Sequence, residues 1–403
     1  MNSYRIALLC STLGSAIVVA GTLSCSGGEE TAAYTITDSA GVDVVMNVGP
    51  QWQDGAGWSV DPEPYLTIGT ATGDPEYELY NVTGAVRLPD GQIAVLNSGS
   101  HEIRFYDGNG QHLRSVGGEG GGPGKFQNPY DLYSLAGDSV VVYDVLQRRL
   151  SFFDRDGEYV RSFTLPVNDK RYRAVDFFPD GAVLVQGRIP SEGGRQSGPY
   201  RDESLFVVFN LEGDSVATLG AFENREMYAR TEGGFLGITG RVFGRTTVVA
   251  TRGSTLFIGT NDGYVIDQYE RDGRLIRSIR RDIAVPVTDE MFAAEIEVQL
   301  ERMDPGPIRD MMAPAIQEMP QPDVLPHYSA LETDPDGNLW VRHYHSASIP
   351  SFEWTVFDST GHMLGDMTLP EGLDVYEIGR DYVLGRWRDE AGVEYVRLHR
   401  LSK

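Results

Sequence analysis

His343 and His345 stand two residues apart in Trp340-Val341-Arg342-His343-Tyr344-His345-Ser346. On an extended strand that spacing turns both imidazoles to one face, and His327, in the lead-in to the same stretch, can approach them. Three neutral imidazoles are the donor set of an open catalytic metal site. The plainer reading is that these side chains face a channel and are merely hydrated, because no second carboxylate or histidine accompanies them at a diagnostic spacing. No cofactor is therefore expected, with a divalent metal, zinc or calcium, as the alternative. Arg342 and Tyr344 in this stretch, and Asp144, Arg148 and Arg149 further upstream, are the other candidates for ligand or channel contact.

A second stretch, Gly117 to Pro129 (GGEGGGPGKFQNP), has the glycines and the lysine of a phosphate-binding loop. It fails on spacing. The pattern G-x-x-x-x-G-K requires glycine at Glu119, and Phe126 follows Lys125 where Ser or Thr should hold a magnesium ion. G-x-G-x-x-G fails too, since Pro123 takes the third glycine position. Pro123, Pro129 and the apolar run Ser139 to Tyr143 point to turn and strand rather than helix. The stretch reads as a connection with a tight backbone path, Phe126 and Pro129 fixing its re-entry and Lys125 solvated.

The elements that position these residues come from a repeat. An aromatic residue, an Asp, Asn or Glu, two variable positions and a glycine recur at Tyr106–Gly110, Phe153–Gly157, Phe209–Gly213, Tyr269–Gly273 and Phe357–Gly361, with a reduced copy at Thr37–Gly41. The Asp or Asn side chain can bond the backbone two residues on, and glycine supplies the positive φ that closes a hairpin. Before each copy stands a second hairpin and an apolar strand, starting at Leu88, Leu135, Phe178, Thr251 and Asp334, with a degenerate sixth from Ile378. Six such units of about four antiparallel strands predict an all-β fold, a six-bladed β-propeller. The last unit lacks its outer strand, which the strands in residues 34–69 can supply, so the ring is expected to close with N- and C-terminal strands and leave no exposed edge. An open β-solenoid is disfavoured because its repeats are usually shorter.

The run GGPGKFQNPYDL followed by VVVYDVLQRRLSFFDRDGEYVRSF resembles an NHL-type repeat, and residues 34–403 resemble the six-bladed propeller lipoproteins of bacteria. That resemblance implies the fold and says little about activity. Within it Asp144 ends an inner strand and Arg148 and Arg149 belong to the next, which reads as a structural ion pair more than as ligand contact. The three histidines would then resemble the zinc channel of amidating-lyase propellers, whereas a calcium-dependent lactonase of the gluconolactonase-like class would need converging Glu, Asn and Asp residues that the sequence does not single out.

Two segments break the repeat. From about 287 to 320 strand alternation gives way to a helical insert: Thr288 is an N-cap, Phe292, Ile296, Leu300 and Met303 share one face, Pro305 and Gly306 end the first helix, and Pro307 starts a second that Pro314 interrupts. Phe292, Met303, Met311 and Met312 are the candidate partner surface, the plainer reading being a cap packed on the propeller. The polar stretch Ile189 to Ser204 reads as a mobile surface loop.

The first 24 residues carry Arg5, an apolar run and small residues before Cys25, the pattern of an export signal. Thr22-Leu23-Ser24-Cys25 resembles a bacterial lipobox, with Thr22 where leucine is commonest, which implies lipidation at Cys25. Residues 25–33 form a flexible tether, and Ser26 implies sorting to the outer membrane. With 58 acidic against 34 basic residues the formal charge is −24, which excludes nucleic acid and anionic headgroups as favoured partners. The expected protein is a monomeric, lipid-anchored envelope module that binds a small-molecule ligand or an envelope protein. A metal-assisted hydrolase or lyase working in the channel is the alternative.

Overall fold

The computed structural model describes residues 32–403 except 54, 136–137, 167–169, 190–195 and 233–234. Cys25, the signal and the tether up to residue 31 lie outside the described residues.

The hairpin chemistry acts as the repeat predicts. Asp107 Oδ1 accepts from the N–H groups of Asn109 and Gln111 at 2.8 Å each, and Asp154, Asn210 and Asp358 do the same in their own turns. The closing glycines have φ near +80° to +93°, a region costly to any side chain with a Cβ. Another copy of this turn, at Asp389 to Gly392, follows Arg388 instead of an aromatic residue and so escapes the motif.

The molecule is mostly β, and its described strands form six small sheets in a propeller-like arrangement. The first strands of the sheets are Val82–Arg87, Pro129–Leu135, Arg173–Phe177, Val248–Arg252, Tyr328–Thr333 and Asp374–Ile378, and the later strands of each sheet add antiparallel in chain order. Apolar residues on both faces join each sheet to the next. Leu96 and Phe105 of the first meet Leu132 and Val140 of the second, and Trp340 and Val356 of the fifth meet Ile378 and Val383 of the sixth. Leu384 and Val396 of the sixth meet Val82 and Val95 of the first. Similar clusters join the second to the third, the third to the fourth and the fourth to the fifth. Each fully buried large apolar side chain contributes about 1.5–3 kcal/mol, so these six contacts carry the fold.

The N-terminal strands part company with expectation. Val42–Asn47 pairs parallel with Leu275–Arg281 of the fourth sheet, and Tyr34–Ser39 adds outside it. Buried Asn47 holds this hairpin in place, donating to the Gly361 carbonyl at 3.0 Å and accepting from the Met363 N–H at 2.7 Å. The chain then passes Trp52 and Trp58, which pack into the cluster between the fifth and sixth sheets. Only Ser59–Val60 and Leu66–Ile68 pair with the last strand, Glu394–Ser402.

Two further differences concern the insertions. Of the expected loop 189–204, residues from 198 onward are strand: Gly198–Phe209 pairs with Ser215–Glu232, because ladder hydrogen bonds satisfy a polar backbone as well as water does. Helix α1 (Asp289–Glu301) starts at Thr288, whose hydroxyl accepts from the Met291 N–H at 3.2 Å. Helix α2 (Pro307–Gln317) runs through Pro314 instead of stopping there. Ala315, Ile316 and Met319 are buried, and packing of Ala315 and Met319 on Tyr228, Val242 and Phe243 offsets the backbone bond lost to proline.

The last residue is fastened. Lys403 Nζ donates to Asp334 Oδ2 at 2.8 Å and Asp336 Oδ2 at 2.6 Å, and Asp334 is fully buried. Lys403→Met leaves that carboxylate with Asn338 and Trp340 but without its cation. We expect a loss of about 1–3 kcal/mol, read as a lower denaturant midpoint at unchanged slope. A wild-type midpoint would show that this terminus fastens nothing.

Candidate functional site

Two residues before the hairpin that ends each first strand stand Val86, Tyr133, Asp176, Glu332 and Glu377, in the first, second, third, fifth and sixth sheets. Equivalent register puts them at one level, and they line a cavity of about 930 Å³ to which all six sheets contribute. The first strands of five sheets also skip one residue in pairing, at Thr83, Tyr130, Val175, Ser329 and Tyr376. Such bulges re-aim side chains at the rim of a site. A smaller cavity of about 240 Å³, which shares Val175, Val249 and Leu331 with the first, continues the channel past Asp131, Arg173, Gln186, Thr247 and Ser329.

The channel carboxylates fall into two kinds. Asp176 accepts from the N–H groups of Phe177 and Thr251, each at 2.7 Å, and so ties the third sheet to the fourth. Glu377 accepts from the Arg87 N–H at 2.7 Å and from the Tyr382 hydroxyl at 2.5 Å, tying the sixth to the first. These two are staples. Glu332 and Asp131 have no hydrogen-bond or ion-pair partner among the described residues.

Desolvation dominates the titration of all four. Burial pushes Glu332 up to about 8, with the charges of Asp176 and Glu377 adding to the effect. Burial pushes Asp131 up to about 7, opposed by Arg173 and reinforced by Asp176. Asp176 rises to about 6 despite its backbone donors, and Glu377 also rises through burial. At neutral pH Glu332 therefore mostly keeps its proton, while Asp131 is divided between its two forms.

The residues singled out from sequence lie elsewhere or do other work. His343 ends its strand and meets Thr355 Oγ1 at 3.0 Å, Glu353 at 3.2 Å and Asp366 at 3.5 Å, all within its own sheet. His345 Nδ1 accepts from the Ser351 N–H at 3.0 Å, and His327 Nδ1 lies 3.3 Å from the Asn261 carbonyl. The imidazoles have separate partners, and among the described residues no group of three or more His, Cys, Asp or Glu is placed to hold a metal ion. Arg342 donates to the Ser351 carbonyl at 3.2 Å, and Tyr344 packs edge-on to Phe243 beneath the helices.

The ion pair expected at Asp144 is replaced by backbone contacts. Fully buried Asp144 accepts from the N–H groups of Gln127 at 2.6 Å, Asn128 at 3.1 Å and Gln147 at 2.8 Å. Arg149 donates to the carbonyls of Gly121 at 2.9 Å and Gly122 at 3.0 Å, and to that of Lys125. Arg148 takes a left-handed backbone at φ +50°. The glycine-rich connection is thus held by its carbonyls, the reverse of a phosphate cradle, and exposed Lys125 donates to the Gly117 carbonyl. On the insert, Phe292 packs near Phe243, Met303 and Met312 are half-buried, and Met311 and Ile308 are exposed.

Sequence reasoning missed Asp131, Arg173, Asp176, Glu332 and Glu377. The signal was partly present: stepping back two residues from the hairpins at Phe178 and Asp334 reaches Asp176 and Glu332, and one residue back from Ile378 reaches Glu377.

No protein-family model matches the chain, and no curated protein matches it. Among solved structures it is similar to a member of the DUF4221 family from Bacteroides vulgatus, at 12% identity and a TM-score of 0.52, over 86% of this chain and 99% of that one. It also resembles a gluconolactonase from Xanthomonas campestris (11% identity, TM-score 0.43, 84% and 99% of the chains) and virginiamycin B lyase from Staphylococcus aureus (10%, 0.40, 86% and 100%). At these identities the likeness concerns fold alone.

The free carboxyl makes stability depend on pH. An unfolded Glu332 ionises near 4.5 and the folded one near 8, so between those values the native state keeps a proton that the unfolded chain has lost. The stability linked to this group is therefore present in full below pH 4.5 and lost as pH rises through 8. Glu332→Gln should flatten the fall in melting temperature between pH 5 and 8 and gain about 1–3 kcal/mol at pH 8. Asp131 and Asp176 leave a residual slope of the same sign. Identical wild-type and variant profiles would place Glu332 in bulk water.

Proposed function

We propose that the protein is an exported, lipid-anchored binding propeller of the cell envelope whose channel takes a small cationic ligand at Glu332, without catalysis. In this reading the six sheets are six blades of one ring, closed where Ser59–Val60 and Leu66–Ile68 pair with Glu394–Ser402. Cys25 carries the lipid, residues after it form the tether, and the outer membrane is the address. The observation that carries the reading is the unpartnered Glu332 carboxyl facing a cavity of about 930 Å³. A half-buried carboxyl without a partner is costly to ionise, and an ammonium or guanidinium group removes that cost. The exposed Ile308 and Met311 on α2 leave a smaller apolar surface for an envelope protein.

Cadaverine is a suitable cationic probe. Its calorimetric affinity should climb several-fold per pH unit from 6 to 8, as the proton on Glu332 ceases to compete, and Glu332→Gln should weaken it about tenfold, near 1.4 kcal/mol. Affinity that is flat with pH and indifferent to Glu332→Gln would sink the channel reading. Separately, Cys25→Ala should move the protein from the membrane fraction to the soluble fraction, and retention in the membrane fraction would sink the anchor.

A further inference from the structure

Asp131 and Arg173 occupy equivalent register in neighbouring sheets. Asp131 lies opposite Tyr143 and Arg173 opposite Gln186, each four residues before the first residue of the strand-ending hairpin or five where a bulge intervenes. Both line the smaller cavity of about 240 Å³. They carry opposite charges and feel one another, yet no ion pair joins them. Two donors of Arg173, Nε and Nη2, go to Gln186 Oε1 at 3.0 and 2.8 Å, and Gln186 in turn donates to Asn224 Oδ1 at 3.3 Å. That fixes the guanidinium plane and leaves Nη1 without a partner among the described residues. An aimed cation beside a free carboxyl is the arrangement that recognises an ammonium and a carboxylate borne by one molecule.

The same register gives the axial part of the separation from Glu332, which stands in the fifth sheet. Asp131 stands two residues before Tyr133, which shares the level of Glu332, an offset of about 6–7 Å along the strand. A four-carbon side chain ending in a cation covers that axial length. Leu331 and Val175, common to the two cavities, supply apolar wall between the polar ends.

We infer that the channel ligand is a basic α-amino acid of the lysine or arginine class, its α-ammonium on Asp131, its α-carboxylate on Arg173 and its side-chain cation on Glu332. The inference rests on the proposed channel site and names its ligand class. Arg173 distinguishes it from a plain cation site, because a ligand without a carboxylate has no use for that guanidinium.

Calorimetry at pH 7.5 with L-lysine, L-arginine, cadaverine, 6-aminohexanoate and L-norleucine tests each contact against Asp131→Asn, Arg173→Gln and Glu332→Gln, with circular dichroism checking that each variant is folded. Lysine or arginine should bind at least tenfold more tightly than the three analogues. Arg173→Gln should weaken lysine at least tenfold and leave cadaverine unchanged; Asp131→Asn should spare 6-aminohexanoate, and Glu332→Gln should spare norleucine. If cadaverine binds as well as lysine and Arg173→Gln changes neither, the amino-acid assignment is overturned while the cationic channel stands. If none of the five binds, the assignment falls, and a cadaverine isotherm flat from pH 6 to 8 takes the channel reading with it.

Discussion

Apolar packing of sheet on sheet is the interaction on which the rest of this structure depends. A four-stranded sheet cannot bury both of its faces alone. Here Val140 and Val142 turn one face of the second sheet to the first, while Val141 and Tyr143 turn the other to the third. Strict alternation along one strand thus feeds two separate clusters. The arrangement consumes both faces of every sheet but, among the described residues, leaves the inner edge of each first strand without a partner strand. Whatever lines the space among those edges must satisfy polar backbone without help from a ladder. Thr251 and Arg87 meet that demand through Asp176 and Glu377.

The hairpins were legible because their cause is local. An Asp or Asn bonding the backbone two and four residues on, with glycine at positive φ, needs nothing beyond five residues of sequence. The copy at Asp389 escaped only because its preceding residue is Arg388, which shows that the carboxylate and glycine define the turn while the aromatic residue belongs to the core. The helical insert was legible for a similar reason, its cap at Thr288 being local. Its second helix was misjudged at Pro314, where burial of Ala315 and Ile316 decides against a local rule. The hairpin at residues 34–47 was misplaced because its partner lies more than two hundred residues away, in Leu275–Arg281, and no local pattern names a distant edge.

The site was hidden by the opposite property. Asp131, Asp176, Glu332 and Glu377 come from four separate units, and no short motif spans them. The eye goes instead to His343 and His345, close in sequence and chemically expressive. Yet the strand ends at His343, so the period-two argument that would turn both rings to one face has no strand to act on beyond it. His343 settles onto Thr355 and its neighbours, His345 onto Ser351. Asp144 and Arg149 were likewise correctly noticed and wrongly partnered. Both bond backbone, because the glycine-rich connection exposes amides and carbonyls that no side chain shields.

Formal charge is a poor guide to such a channel. The chain carries −24 overall, but burial raises its free channel carboxyls, and near neutral pH a proton rather than a counterion balances Glu332. Exposed acidic residues act over about 8–10 Å before salt screens them. Glu332 acts by contact. Its cost is met by a proton or, in the proposed function, by a ligand cation, and the two exclude each other. Asp176 and Glu377 cannot take part on equal terms, since ionising them is already tied to backbone donors that hold neighbouring sheets together. The division between stapling and free carboxyls lets one cavity keep its shape while a single group changes charge. A scaffold whose inner wall is stapled by acids can thereby leave one acid free, as the proposed binding contact requires, without loosening the wall when that acid gives up its proton.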